Sequence, residues 1–98
     1  MTISKTRNED SIIVALEGRL DTTTAPELEA ALGEEFDGLT ELIFDFANLE
    51  YISSAGLRVL LSAQKVMNKQ GTMKLRNVNS DINEVLSITG FSDILTIE

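Results

Sequence analysis

Two stretches of this sequence hold side chains whose types and spacing could do chemistry. One runs Asn48-Leu49-Glu50-Tyr51-Ile52-Ser53-Ser54-Ala55-Gly56 and sets two adjacent hydroxyls, then two small residues, at the start of a helical apolar pattern. Unpaired N–H groups at a helix start, with the positive end of the dipole, favour an anion there. Serine is also a preferred N-cap, and a Ser pair before a helix ordinarily caps it and does nothing more. Ala55 and Gly56 are equally explained by close packing of the loop. The other stretch is Gly18-Arg19-Leu20-Asp21-Thr22-Thr23. Asp21 there can serve a partner surface or close an Asx-type turn on the residues that follow it. Asp45, near the end of an apolar run, can hydrogen-bond the following loop and so position Ser54, or reach solvent beside Asn48. Asp21 and Asp45 are groups a hard cation takes, but two acids make a thin metal site, and none is assigned.

The residues that are missing narrow the chemistry further. The 98 residues include no His, Cys or Trp. That excludes a Ser–His–Asp triad, a Cys–His dyad, a thiolate redox centre, the usual N/S zinc site and any disulfide framework. No catalytic residue and no cofactor is assigned. A net charge of −8 opposes non-specific binding to nucleic acid. Residues 1–49 hold 3 basic and 11 acidic residues and residues 50–98 hold 5 of each, so the excess lies entirely in the first half. No apolar run approaches the roughly 18 residues of a membrane span, and MTISKTRNED has no signal-peptide core. The expected location is the cytoplasm, and monomer is the default state of the free chain.

The apolar period predicts the elements that must hold these residues. Residues 2–8 alternate weakly, with Lys5 and Arg7, as a polar edge strand does. Ser11–Glu17 is apolar on both faces, which predicts a strand in a sheet covered on both sides. Thr24 and Glu27 have capping-box spacing around Pro26, and Leu28, Ala31, Leu32 and Phe36 follow as a helical stripe, with Gly38 past its end. Leu42–Phe46 reads as a buried strand. A helix runs from Ser54 to Gln70 with Gly71 at C′, turning Arg58, Ser62, Lys65 and Lys69 to solvent. A strand with Met73 and Leu75, a short helix capped by Ser80 and closed by Gly90, and a last strand Ile94–Ile97 complete the chain. The order β–β–α–β–α–β–α–β predicts one small α/β domain over residues 1–98, with a mixed, mostly parallel sheet and an antiparallel first hairpin. In such a sheet the Asp21 loop and Ser54 lie near each other at the carboxyl ends of the strands.

The segment Asp45-Phe-Ala-Asn-Leu-Glu-Tyr-Ile-Ser-Ser-Ala-Gly-Leu-Arg-Val-Leu-Leu resembles the signature of the STAS domain family, and more narrowly of the bacterial anti-sigma factor antagonists. Leu16-Glu-Gly-Arg-Leu-Asp-Thr-Thr-Thr-Ala-Pro-Glu-Leu is similar to the family's other recurrent block, and the resemblance spans nearly the whole chain. It implies a non-enzymatic regulator. The unphosphorylated form binds an anti-sigma factor that is itself a serine kinase and so frees the sigma factor; phosphorylation releases it, and a serine phosphatase resets it. The family's acceptor lies two residues before the Gly, which is Ser54 here. Ser53 stands where the family often has Asp, removing a charge beside the acceptor, and Ala55 stands where it has a second hydroxyl. The implied partner surface is Asp21, Thr22, Thr23, Ser53, Ser54, Ala55, Gly56, Leu57 and Arg58. The resemblance also implies a last helix after the final strand, of which this sequence, ending at Glu98, holds none. A second reading is a STAS module without the switch, working as a scaffold or as a subunit of a larger assembly such as a membrane-transport complex. A nucleotide-binding enzyme is disfavoured by the lack of a Gly-x-x-x-x-Gly-Lys-Ser/Thr loop and of a His base.

Overall fold

The computed structural model describes Met1–Glu98. Strands β1 (Thr2–Asn8) and β2 (Ser11–Leu20) form the expected antiparallel hairpin, with Thr2 opposite Glu17 and Asn8 opposite Ser11. Strands β3 (Glu41–Ile52) and β4 (Thr72–Arg76) add in parallel, giving a sheet in the order β1-β2-β3-β4. Helices α1 (Ala25–Gly33) and α2 (Ser54–Met67) make the crossovers, and α3 (Ser80–Ile88) with a 3-10 turn at Phe91–Asp93 follows β4.

The sheet grows in one direction, and right-handed crossovers taken in one direction put their helices on the same face. The burial pattern agrees. Ile12, Val14, Leu16, Leu42, Phe44, Phe46, Met73 and Leu75 are all buried, and join Leu28, Leu32, Leu57, Leu60, Met67, Ile82 and Leu86 in one cluster. The other face is open: Ile13 lies opposite Ile43, both half-exposed, with Ala15 beside Asp45. The expectation of a sheet covered on both sides is therefore wrong. Its apolar second face is narrow enough to be left half in water.

Several predicted boundaries also move. Strand β3 runs six residues past Phe46 because it carries two irregularities against β2, between Ala15/Glu17 and between Gly18/Arg19. Each inserts one β3 residue, so the buried positions fall at Phe46, Leu49 and Ile52 and the two-residue alternation disappears from the sequence. The capping box does not form. Thr24 makes no side-chain cap bond; its hydroxyl donates to Arg19 O at 2.8 Å and accepts from Asp21 N at 2.8 Å. Asn79, not Ser80, caps α3, accepting from Ile82 N at 2.8 Å, because its amide also reaches back to Leu49 O at 3.0 Å. Helix α2 stops at Met67 with Asn68 as its C-cap, three residues short of Gln70, so Gly71 is not at C′. Gly71 is needed for a different reason: a Cβ there would overlap the carbonyl of Thr40, which accepts from Thr72 N at 2.9 Å. The last strand shrinks to one bridge, Leu75 with Ile97, since the chain is still coiled through Leu95, whose N–H bonds Phe91 O at 2.8 Å.

Lys5 and Arg7 do more than protect an edge. They lie on the helix side of β1, and α1 has no basic residue in its last turn. Lys5 Nζ donates to Ala31 O and to the carboxylates of Glu34 and Glu35, while Arg7 reaches the main-chain carbonyls of Glu35 and Asp37. Strand β1 thus supplies the cations that the C-terminal end of α1 lacks.

Three substitutions check this packing. Gly33→Ala, at the end of α1 with open space around a Cβ, raises stability by about 0.5–1 kcal/mol. Gly56→Ala, where a Cβ would lie 2.7 Å from Leu20 Cγ and 2.9 Å from Ile52 Cγ1, lowers it by about 1–3 kcal/mol. Urea midpoints read both. Lys5→Met tests the α1 cap through pH. The hydrogen bond from Lys5 holds the Glu35 carboxyl below its ordinary value of 4.5, and the hydrogen bond to Glu35 raises Lys5 above 10.5. The contribution is therefore present between those values, fades as pH falls through the depressed Glu35 pKa, and fades again as pH rises through the raised Lys5 pKa. The wild type loses more stability than Lys5→Met on acidification below about pH 4.5; parallel pH profiles of the two proteins would disprove the assignment.

Candidate functional site

The two serines divide their tasks. Ser53 has the extended backbone of an N-cap (φ −99°, ψ 175°), and its hydroxyl accepts from Gly56 N at 3.4 Å. Its own N–H bonds Leu20 O at 2.9 Å, which ties the helix start to the end of β2. Ser54 is the first residue of α2, is exposed, and its hydroxyl makes no hydrogen bond within the chain. The N–H groups of Ser54 and Ala55 have no partner in the chain either. Capping thus accounts for Ser53 and leaves Ser54 unused. No side chain of the first helical turn is acidic. With no base bonded to it, Ser54 is not an activated nucleophile; it can take a group delivered from outside.

Gly56 sets how closely this turn approaches the sheet, since its missing side chain leaves room for Leu20 and Ile52. Leu57 is buried in the core. Neither residue presents a side chain outward, so of the predicted surface these two position the rest. Ser53 is half-buried, and Ser54 and Arg58 are exposed.

Asp21 closes a local turn, as its alternative reading had it. Its Oδ1 accepts from Thr23 N at 3.0 Å, from the Thr23 hydroxyl at 2.8 Å and from Thr24 N at 3.2 Å, and its main-chain oxygen accepts from Ala25 N at 2.8 Å. The Thr23 hydroxyl, with those N–H groups, holds the Asp21 carboxyl below the usual carboxylate range. The other oxygen, Oδ2, is 3.9 Å from Arg19 Nε. Thr22, by contrast, faces α2: it shares a cavity with Ala55 and Arg58. The two predicted loops do come together.

Asp45 does not position Ser54. It lies in the middle of β3 and accepts from Ala47 N and from Asn77 Nδ2, both at 3.0 Å, fastening the β4–α3 loop to β3. Those bonds, the Asn77 one foremost, hold its carboxyl low. No three carboxylates gather as a metal site. Phe91 packs partly buried against the core.

The sequence alone did not reveal the pair Arg19 and Tyr51. They face each other across β2 and β3, with the guanidinium 4.2 Å from the ring centroid, and the Tyr51 side of the pair is 41% exposed. Their register depends on the extra β3 residue between Leu49 and Tyr51, which leaves no trace in composition or period.

Against known proteins, the STAS domain family model matches residues 2–98. The chain is 34% identical over 99 residues to the BtrV protein of Bordetella bronchiseptica, covering 99% of this chain and 85% of that one. It is 32% identical over 92 residues to the anti-sigma-B factor antagonist of Bacillus subtilis, covering 93% and 84%. Among solved structures, the anti-sigma factor antagonist SpoIIAA in its unphosphorylated form matches with a TM-score of 0.79 at 17% identity, over 99% of this chain and 87% of that one. SpoIIAA in the phosphorylated form gives 0.78 at 17% identity, over 99% and 91%. An anti-sigma factor antagonist from Mycobacterium paratuberculosis gives 0.88 at 23% identity, over 98% and 83%. With a family model spanning all but its first residue, and a four-stranded sheet whose helices line one face, this chain belongs to the STAS domain family.

Proposed function

We propose that this protein is a non-enzymatic anti-sigma factor antagonist switched by phosphorylation of Ser54. The unphosphorylated form binds an anti-sigma factor serine kinase and thereby frees a sigma factor. Phosphate on Ser54 ends the complex, and a serine phosphatase restores it. One observation carries the reading: of two adjacent hydroxyls at the start of a 14-residue helix, Ser53 is used in capping and Ser54 is exposed and unbonded. The relatives' names support the partner class.

The switch works locally. A phosphate adds about −1.5 to −2 charges and several strong acceptors. At the first turn of α2 it meets the free N–H groups of Ser54 and Ala55 and the positive end of the dipole, so the antagonist's own fold tolerates it. In a packed interface the same group has to be desolvated and takes up room. Release then needs no refolding, which is in keeping with SpoIIAA having this fold in both its unphosphorylated and phosphorylated forms. A coupling of about 1–3 kcal/mol would weaken binding roughly 5–150-fold.

Incubation with ATP and the serine kinase of the same regulatory system, followed by mass spectrometry, places one phosphate on Ser54. Ser54→Ala abolishes it and keeps tight binding. Ser53→Ala retains the modification while losing about 1 kcal/mol of helix-cap stability. Phosphate found on Ser53, or a phosphorylated protein that binds as tightly as the unmodified one, refutes the switch. An unmodified chain that still binds the kinase would instead point to a plain scaffold.

A further inference from the structure

A groove runs between α1 and α2, starting beside the first turn of α2. Its mouth is a cavity of about 290 Å3 lined by Thr22, Glu29, Ala55, Arg58, Val59 and Ser62. Past Val59 and Ser62 it narrows to an apolar end of about 60 Å3 between Leu32, Phe36 and Val66. Two features distinguish it from an ordinary helix seam. Glu29 and Arg58 face the mouth from opposite walls, yet they pair neither with each other nor with any other side chain; the chain's ion pairs all lie elsewhere. Phe36, beyond the end of α1, is only partly buried against the core.

We propose that this groove docks a helical segment of the anti-sigma factor. The segment sets a carboxylate against Arg58 and a cation against Glu29 at the mouth. It sets a large apolar side chain against Phe36 and Val66 about 12 Å further on, the rise of eight helical residues from Arg58 to Val66. The identity of this occupant rests on the proposed function. Continuity supports it, because Thr22, Ala55 and Arg58 belong both to the groove and to the surroundings of Ser54, so a kinase reaching the Ser54 hydroxyl lies over the mouth. Charge supports it too. Unpaired charges of both signs on facing walls suit an amphipathic segment with mixed polar flanks and disfavour a wholly apolar occupant. A trough between two helices, charged at one end and apolar at the other, suits helix-in-groove recognition, in which anchors recur every few residues along one face.

The test is calorimetric titration with the anti-sigma factor kinase of the same regulatory system, without ATP turnover. Ser62→Phe fills the groove from an exposed position where its two parts meet, and Lys69→Phe, in the turn just past the C-cap of α2 and outside the groove, is the control. Ser62→Phe weakens binding at least tenfold with an unchanged melting temperature and circular dichroism, while Lys69→Phe leaves it within twofold. Arg58→Glu and Glu29→Lys each weaken binding, and the double substitution does not recover it, since each charge meets the partner and not the other. Wild-type affinity in Ser62→Phe, or recovery in the charge-swapped double variant, overturns the groove while leaving the Ser54 switch standing. A wild-type protein that fails to bind the kinase overturns both. Light scattering that shows a dimer dissociated by Ser62→Phe assigns the groove to a second copy of the chain and refutes the proposed occupant.

Discussion

The contact of one helical turn with the ends of two strands governs the rest of this molecule. The N–H of Ser53 bonds Leu20 O at 2.9 Å, and two residues on from Ser54 the bare backbone of Gly56 lies against Leu20 and Ile52. Leu20 is fully buried and Ile52 nearly so, and a packed interior does not yield readily. The first turn of α2 is therefore fixed in height and direction over the sheet. Ser53 is held as the cap, and Ser54 is left facing solvent. A side chain at position 56 would lift that turn and move the Ser54 hydroxyl with it.

The same contact shows why β2 and β3 are so long. Each continues beyond its regular alternation to reach the helix start, and β3 does so with two extra residues. Those insertions turn Phe46, Leu49 and Ile52 inward at every third position and set Tyr51 beside Arg19. Irregular pairing of this kind commonly re-aims a strand next to a working site. Asn79 and Asp45 then fasten the β4–α3 connection to the same strand, through Leu49 O and through Asn77.

Charge is arranged with similar economy. The acidic first half of the chain would burden the C-terminal end of α1 with Glu34, Glu35 and Asp37, where the dipole already favours cations. Lys5 and Arg7 come across from β1 to neutralise that end. Glu29, nearer the start of α1, keeps its charge exposed to solvent at the groove.

Local pattern alone determined a good deal here. The strong alternation of Ile12, Val14 and Leu16, the helical stripe through Leu57 and Leu60, and the alternating order of strands and helices sufficed for an α/β domain with a first hairpin, because burial of a face repeats at the element's own period. The Ser53-Ser54-Ala55-Gly56 run and its Asp21 companion loop were legible as a pair, because parallel strands bring their carboxyl ends together. Tertiary structure alone decided which hydroxyl caps and which is free, since one dihedral at Ser53 separates them. It also decided that the sheet is covered on one face, which follows from the direction of successive crossovers and not from any strand's composition. The duty of Lys5 and Arg7, the stacking of Arg19 on Tyr51 and the groove between α1 and α2 all join residues distant in sequence or shifted by a bulge. No period or spacing along the chain carries that information, because it exists only once the elements have packed.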